Sequence, residues 1–441
     1  MTTHPPAEPV AITPSGPIDA EVQAPPSKSL TIRALAAASL ARGRSALRRP
    51  LFSDDTYLMA HALTQLGIPV TRRGSSVVVN GRGGMVAVPA EPLNLGNAGT
   101  PLRLLTGICS LGHGRFVLDG SSRMRQRPLT HLMEALSSLG VSIVSTNTEG
   151  HAGCPPIEMV SDGFAGGLVS IKGDISSQYL SSLLMIGPYG ATDLEVEVGG
   201  SLVSRPYADL TIQVMESFGA RVERDEYRWF HVHAGIPYQP RVHPVEADAS
   251  SASYLFAAVA IAGGRIRVTG IPSDSRQGDL RFLDFLEQMG CEVSRGELWI
   301  EVRRASGPPD RLTGIDADLS DCPDLAPTLA AVAIFARGAT TIRRVAHLRV
   351  KESDRIESVA ACVQALGARA DVGPDSLVVT PPENGRLGLR GCDIDPLDDH
   401  RLAMAFALTG LVISGVRILD PGCVSKSFPG FFDQLRALTG C

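Results

Sequence analysis

SYLFAAVAIAGGRIRVTG (residues 253–270) runs an apolar stretch into a glycine and on into alternating strand residues. LEQMGCEV (286–293) ends an amphipathic stretch in a second glycine before more strand. The first pattern recurs at Gly43, Gly114, Gly190, Gly264, Gly338 and Gly415, the second at Gly67, Gly140, Gly219, Gly290, Gly367 and Gly440. Copies stand 71–79 residues apart, so one unit repeated six times accounts for the chain. Each unit reads helix, glycine cap, strand, amphipathic helix, glycine cap, hairpin, because a helix end calls for a left-handed residue that glycine supplies. The first helix of most units (ALAAASLA, SYLFAAVAIA, LAAVAIFA, LAMAFALTGLVI) is apolar nearly all round and should be buried inside its domain.

The sixth copy ends after its second helix without a hairpin, and the strand-like alternation of residues 10–22 is expected to supply it. Both termini then share one domain. The expected division is residues 24–243 against 1–23 plus 244–441, three units each, with prolines clustered at the crossings. The predicted class is α/β (α+β): two similar domains of repeated helix-strand-helix-hairpin units, inside-out and barrel-like.

Composition bounds the function. The 441 residues are 44% hydrophobic and 20% charged, which excludes a disordered chain and leaves room for two or three domains. The longest apolar run, residues 402–413, is broken by Thr409 and Gly410 and is far shorter than the ~20 residues a membrane helix needs. The polar, proline-rich residues 1–17 lack a signal pattern, so a cytoplasmic location is expected. Eight scattered cysteines without a C-x-x-C pair read as reduced thiols. A net charge of -5 argues against a nucleic-acid binder. Only four basic residues are lysines, and Lys28, Lys351 and Lys426 sit in segments dense with Ser, Asp, Glu and Arg. Lysine is a compact cation whose pKa shifts readily, so these three are candidates for proton or phosphate chemistry.

Polar residues gather where the buried helices begin. They are Ser27, Lys28, Ser29 and Arg33; Asn97, Gly99, Thr100 as N-cap, Pro101 and Arg103; Ser176, Ser177 and Gln178; Asp324; and His400 with Arg401. Lys351, Glu352 and Arg355 place two cations and a carboxylate within one helical turn of RVKESDR. Helix N-termini carry unsatisfied N–H groups and partial positive charge, so several aimed at one cleft would bind a small polyanion. No Walker sequence, G-x-G-x-x-G or H-E-x-x-H occurs, and His400 has no second histidine at ligand spacing.

PPSKS, LGNAGTPLR, SSRMRQRPL, GDISSQYL, RVKESDR, DDHRLAM and SKSFPGFF, in this order, closely resemble the signatures of the EPSP synthase family. The resemblance implies a two-domain fold of six similar units. It also implies transfer of the enolpyruvyl group of phosphoenolpyruvate to the 5-hydroxyl of shikimate 3-phosphate, with no metal or organic cofactor. On the phosphoenolpyruvate side it implicates Lys28, Asn97, Gly99, Arg127, Gln178, Arg355, Arg401 and Lys426. Ser29 and Arg33 would hold the shikimate carboxylate, and Ser176, Ser177, Ser204 and Lys351 its phosphate, with Lys28, Gln178, Tyr207, Asp324 and His347 also on that substrate. Asp324 would take the hydroxyl proton and Glu352 would protonate the methylene carbon, directly or by relay through Lys28 or Lys426. The implied partners are these two substrates alone, on a monomer that engages neither nucleic acid nor membrane.

His347 stands where the family often has Asn, and Arg205 where it usually has Lys. Pro101 and Leu104 depart from a pattern whose proline comes three residues later, so an altered response to the family inhibitor glyphosate is expected. The related UDP-N-acetylglucosamine enolpyruvyltransferases carry a reactive cysteine where this chain has Ser122, and serine offers no comparable thiolate. A non-catalytic clamp around nucleic acid would need basic helix faces, which the LTQLG, LSSLG and LEQMG helices lack.

Overall fold

The computed structural model describes residues 8–305 and 312–440. Among the described residues twelve α-helices alternate in character. The first of each pair are α1 (Lys28–Leu40), α3 (Gly99–Cys109), α5 (Ser177–Ile186), α7 (Ala249–Ala262), α9 (Ala326–Ala333) and α11 (His400–Ala407). The second are α2 (Asp54–Gln65), α4 (Thr130–Ser138), α6 (Pro206–Ser217), α8 (Arg281–Met289), α10 (Arg355–Ala365) and α12 (Phe431–Thr439). Small and branched apolar residues on every face let the first set bury almost entirely: α9 is buried from end to end. In the second set, one stripe faces inward. Helix α8 buries Phe282, Leu283, Phe285, Leu286 and Met289 and exposes Arg281, Asp284 and Glu287.

Five units share one sheet pattern. In the second, Leu93–Asn94 runs parallel to His113–Asp119, which pairs antiparallel with Ile157–Asp162, itself paired with Ser142–Ser145. The parallel edge strand of the first unit is Val242–Pro244, from beyond the third. The sixth sheet has three strands: Val10–Ala11 antiparallel to Arg417–Ile418, which runs parallel to Asp393–Ile394.

The expectation that residues 10–22 close the sixth unit as one hairpin is therefore corrected. Val10–Ala11 joins the sixth unit, whereas Ile18–Gln23 is the parallel edge of the fourth, beside Gly264–Thr269. Pro14 and Pro17 lie between them, and a residue with no N–H cannot continue a ladder. The glycine reading also divides. Gly67, Gly140, Gly219, Gly290, Gly367 and Gly440 all have φ between 68° and 105° and follow their helices. Gly43 and Gly114, at φ 133°, instead lie inside strands, and Gly190 has φ −63°.

By contacts, residues 26–245 form one compact unit and residues 8–25 with 246–440 a second, each around its own apolar core. Among the described residues no helix is long and apolar enough to cross a membrane. The seven described cysteines form no disulfide.

Candidate active site

In the compact unit of residues 26–245 the N-termini of α1, α3 and α5 lie at one end. Gln178, in the first turn of α5, donates from Nε2 to Thr100 Oγ1 in the first turn of α3 at 3.1 Å. Arg33, one turn into α1, reaches Ser181 Oγ, one turn into α5, at 3.3 Å. Three helix starts side by side concentrate unsatisfied N–H groups and partial positive charge.

Arg33 is 1% exposed and donates to Thr211 Oγ1 (2.8 Å), to the Ser29 carbonyl (3.2 Å) and to the Tyr207 carbonyl (3.3 Å). Burial pushes its guanidinium down to about 10, against the opposing effect of Tyr207, so it remains a cation at neutral pH among neutral oxygens. Arg127 donates from Nη1 to both Asn97 oxygens at 3.0 Å. A Cβ at Gly99 would overlap the Arg127 guanidinium, so only glycine lets that cation sit against the start of α3. Lys28 Nζ stands 3.1 Å from Asp55 in the first turn of α2. Ser176 caps α5 by accepting from the Gln178 N–H at 3.3 Å, and Ser177 is buried beside it. Ser204, buried before α6, has φ 55°, a backbone strain of the kind that collects at functional sites.

One expectation is corrected. Helix α3 begins at Gly99 with Ala98 as its N-cap, so Thr100 and Pro101 lie inside the first turn. Thr100 spends its oxygen on Gln178 instead of capping.

In the compact unit of residues 8–25 and 246–440 the cluster is densely ionic. Arg355, 1% exposed, is met by three carboxylates at 2.7 Å: Asp324 on Nη1, Glu352 on Nη2 and Asp399 on Nε. Arg401 Nη2 holds the other Asp324 oxygen at 2.8 Å, and its Nη1 lies 3.5 Å from the Tyr254 hydroxyl on α7. Lys426 Nζ lies 3.6 Å from Glu352. Burial alone would raise the Asp324 pKa, but Arg401, Arg355 and Lys351 outweigh it and hold the carboxyl well below the usual range. Burial, then Lys351, push the His347 imidazole down to about 3, so it is neutral at pH 7. The cations Lys351, Arg355, Arg401 and Lys426 stand among the carboxyls Asp324, Glu352 and Asp399, and the buried Asp279 acts on Arg401 and Asp324 as well.

Lys351 and Glu352 do not share a helical turn with Arg355. Lys351 is extended after a short 3-10 turn (Ala346–Val350), and α10 starts at Arg355 behind an Asp354 cap. An Asp at the helix start outcompeted helix continuation through the preceding polar run.

Two residues that sequence reasoning did not single out belong here. Asp399 is fully buried, caps α11 by accepting from the Arg401 N–H at 3.0 Å, and also accepts from Ser353 Oγ at 3.2 Å. Asp55 is the partner of Lys28. Asp399 reads as an ordinary helix cap and Asp55 as an ordinary acid in a first helical turn behind Ser53; the available signal was their place one residue from a predicted site residue or at the start of a neighbouring helix.

A model of the family EPSP synthase (3-phosphoshikimate 1-carboxyvinyltransferase) matches residues 12–435. A 3-phosphoshikimate 1-carboxyvinyltransferase of Methanoculleus marisnigri is 46% identical over 427 residues, covering 97% of this chain and 98% of the relative. One of Marinomonas sp. is 44% identical over 432 residues, covering 97% and 99%. In fold, the chain is similar to the EPSP synthase of Acinetobacter baumannii, with a TM-score of 0.80 at 24% identity over 98% of both chains.

Proposed function

The chain belongs to the EPSP synthase (3-phosphoshikimate 1-carboxyvinyltransferase) family, and we propose that it transfers the enolpyruvyl group of phosphoenolpyruvate to the 5-hydroxyl of shikimate 3-phosphate, releasing phosphate. Protonation of the methylene carbon makes the adjacent carbon electrophilic. The 5-hydroxyl oxygen adds there as its proton leaves, and the tetrahedral adduct then expels phosphate and loses a methyl proton, restoring the double bond.

Residues of both units serve the two substrates. Lys28, Asn97, the Gly99 N–H, Arg127, Gln178, Arg355, Arg401 and Lys426 hold phosphoenolpyruvate. Ser29 and Arg33 take the shikimate carboxylate. Ser176, Ser177, Ser204 and Lys351 take its phosphate, beside Lys28, Gln178 and Tyr207. His347, neutral at pH 7, offers a hydrogen bond to a hydroxyl. Asp324 is the base, and Glu352 delivers the methylene proton, directly or through Lys28 or Lys426.

The observation that carries this reading is Asp324 clamped between two arginines. So held, it is a poor base. A phosphoenolpyruvate molecule that draws Arg355 and Arg401 onto its own carboxylate and phosphate frees Asp324 to accept the hydroxyl proton, so substrate binding switches the base on. We further propose a cytoplasmic monomer that binds no nucleic acid; the seven described cysteines without a disulfide support the location, and the net charge of -5 supports the lack of nucleic-acid binding.

The test is a phosphate-release assay on the purified chain. Release is expected with both substrates and not with phosphoenolpyruvate alone; release driven by UDP-N-acetylglucosamine instead would overturn the reading. Asp324→Ala should keep shikimate 3-phosphate binding while turnover falls by a factor of roughly 10² or more, as loss of a general base does. Unchanged turnover removes Asp324 from that role.

A further inference from the structure

We propose that Asp193, His231 and His233 form a binding site for a divalent transition-metal ion of the zinc class, apart from the residues assigned to the reaction. His231 lies on the strand Trp229–Val232 and His233 just beyond it. Two residues apart on an extended chain, both imidazoles leave the same face of the sheet, while Phe230 and Val232 on the other face are fully buried in the core. The two rings stand 4.5 Å apart between centroids. Asp193, the residue before the strand Leu194–Gly199, aims one carboxylate oxygen at both: Oδ2 is 2.9 Å from His231 Nε2 and 3.7 Å from His233 Nδ1.

The surroundings hold this set in place. Asp193 Oδ1 accepts the Ala234 N–H at 2.8 Å, which fixes the carboxylate plane. The remaining ring nitrogen of His233, Nε2, lies 3.0 Å from Glu223 Oε1, the carboxylate–imidazole arrangement that orients histidine ligands from behind. Among the described residues, one potential ligand atom from each of Asp193, His231 and His233 lies within 4.8 Å of the others. Tetrahedral zinc binds nitrogen and oxygen at about 2.0–2.2 Å, so shifts on the order of an ångström in these partly exposed side chains would bring them to bonding distance, with water in the fourth position. Imidazole nitrogen with one carboxylate favours zinc, copper or nickel over magnesium or calcium. The bound ion would tie together strand Trp229–Val232, the entry to Leu194–Gly199 and, through Glu223, the strand Val222–Asp225, so its effect is on the stability of this sheet.

Calorimetric titration of the chelator-treated full chain with zinc chloride tests this. One saturable ion per chain is expected, with affinity falling at least about tenfold in the double variant His231→Gln with His233→Gln and in Asp193→Asn, as loss of a ligand should cause. Saturating zinc should raise the Tm of the parent and leave that of the double variant in place, while phosphate release without zinc is the same in both. Absence of saturable binding, or binding undiminished in these variants, overturns the proposal and leaves the cluster as hydrogen-bonded histidine–carboxylate pairs only.

Discussion

Arg355 organises the charges of the second unit, and its neighbours are where single substitutions report most clearly. Asp399→Ala removes one partner of a fully buried pair, and such loss costs about 3–5 kcal/mol because a charge stays behind uncompensated. The low end of that range is expected here, since Asp324 and Glu352 still face Arg355; denaturant titration measures it. Gly99→Ala should raise the KM for phosphoenolpyruvate by up to about 10²-fold with little change in Tm, because the new Cβ displaces the Arg127 guanidinium. Wild-type KM would clear Arg127 of contact with that substrate. His347 gives a pH signature. Its folded pKa, about 3, lies below the ordinary 6.5, so the unfolded chain takes up the proton first. Its contribution to stability is complete above pH 6.5 and declines as pH falls toward 3. Glu246 and Asp279, pushed up to about 7 chiefly by burial, slope the opposite way. The comparison is therefore between variants: His347→Asn should flatten the acid-side fall in Tm relative to the parent, and superimposable curves would contradict the assignment. Among the proposed site residues, Lys28, Lys351, Lys426, Arg33, Arg355, Arg401 and the helix-start serines stood out in the sequence by type and spacing, while Arg127 and Ser204 came only with the family resemblance. Asp399 and Asp55 did not stand out, since an aspartate at a helix start looks the same whether it caps backbone or also holds a cation.

At the scale of elements, the alternation of apolar and amphipathic helices was readable from periodicity alone, since it decides which side chains can meet water. Strand partnership was not, because residues far apart in the chain choose among equivalent edges. The N-terminal segment shows this. Its alternation announced a strand, yet Pro14 and Pro17 split it between the sixth and fourth units. Ile12 anchors the first half, with its N–H on the Val416 carbonyl at 2.9 Å and its side chain in the core of the second unit. Ile12→Ala should destabilise that unit by about 2 kcal/mol, toward the low end for a buried isoleucine given its 8% exposure. Limited proteolysis should then cut residues 246–440 sooner and leave residues 26–245 as resistant as before; equal sensitisation of both would contradict the assignment of this strand.

Over the whole molecule, one βα unit used six times puts polar helix starts at one end of each unit without a strongly basic composition. The chain carries a net charge of -5, yet Arg33, Arg127, Arg355, Arg401 and Lys426 are all buried. We propose that Arg127 and Arg401 each act on phosphoenolpyruvate. The KM for phosphoenolpyruvate in Arg127→Ala and in Arg401→Ala tests it most directly. Each should rise about tenfold or more, the worth of a hydrogen bond to a charged group, with shikimate 3-phosphate binding largely kept. A parental KM in either variant would contradict the account.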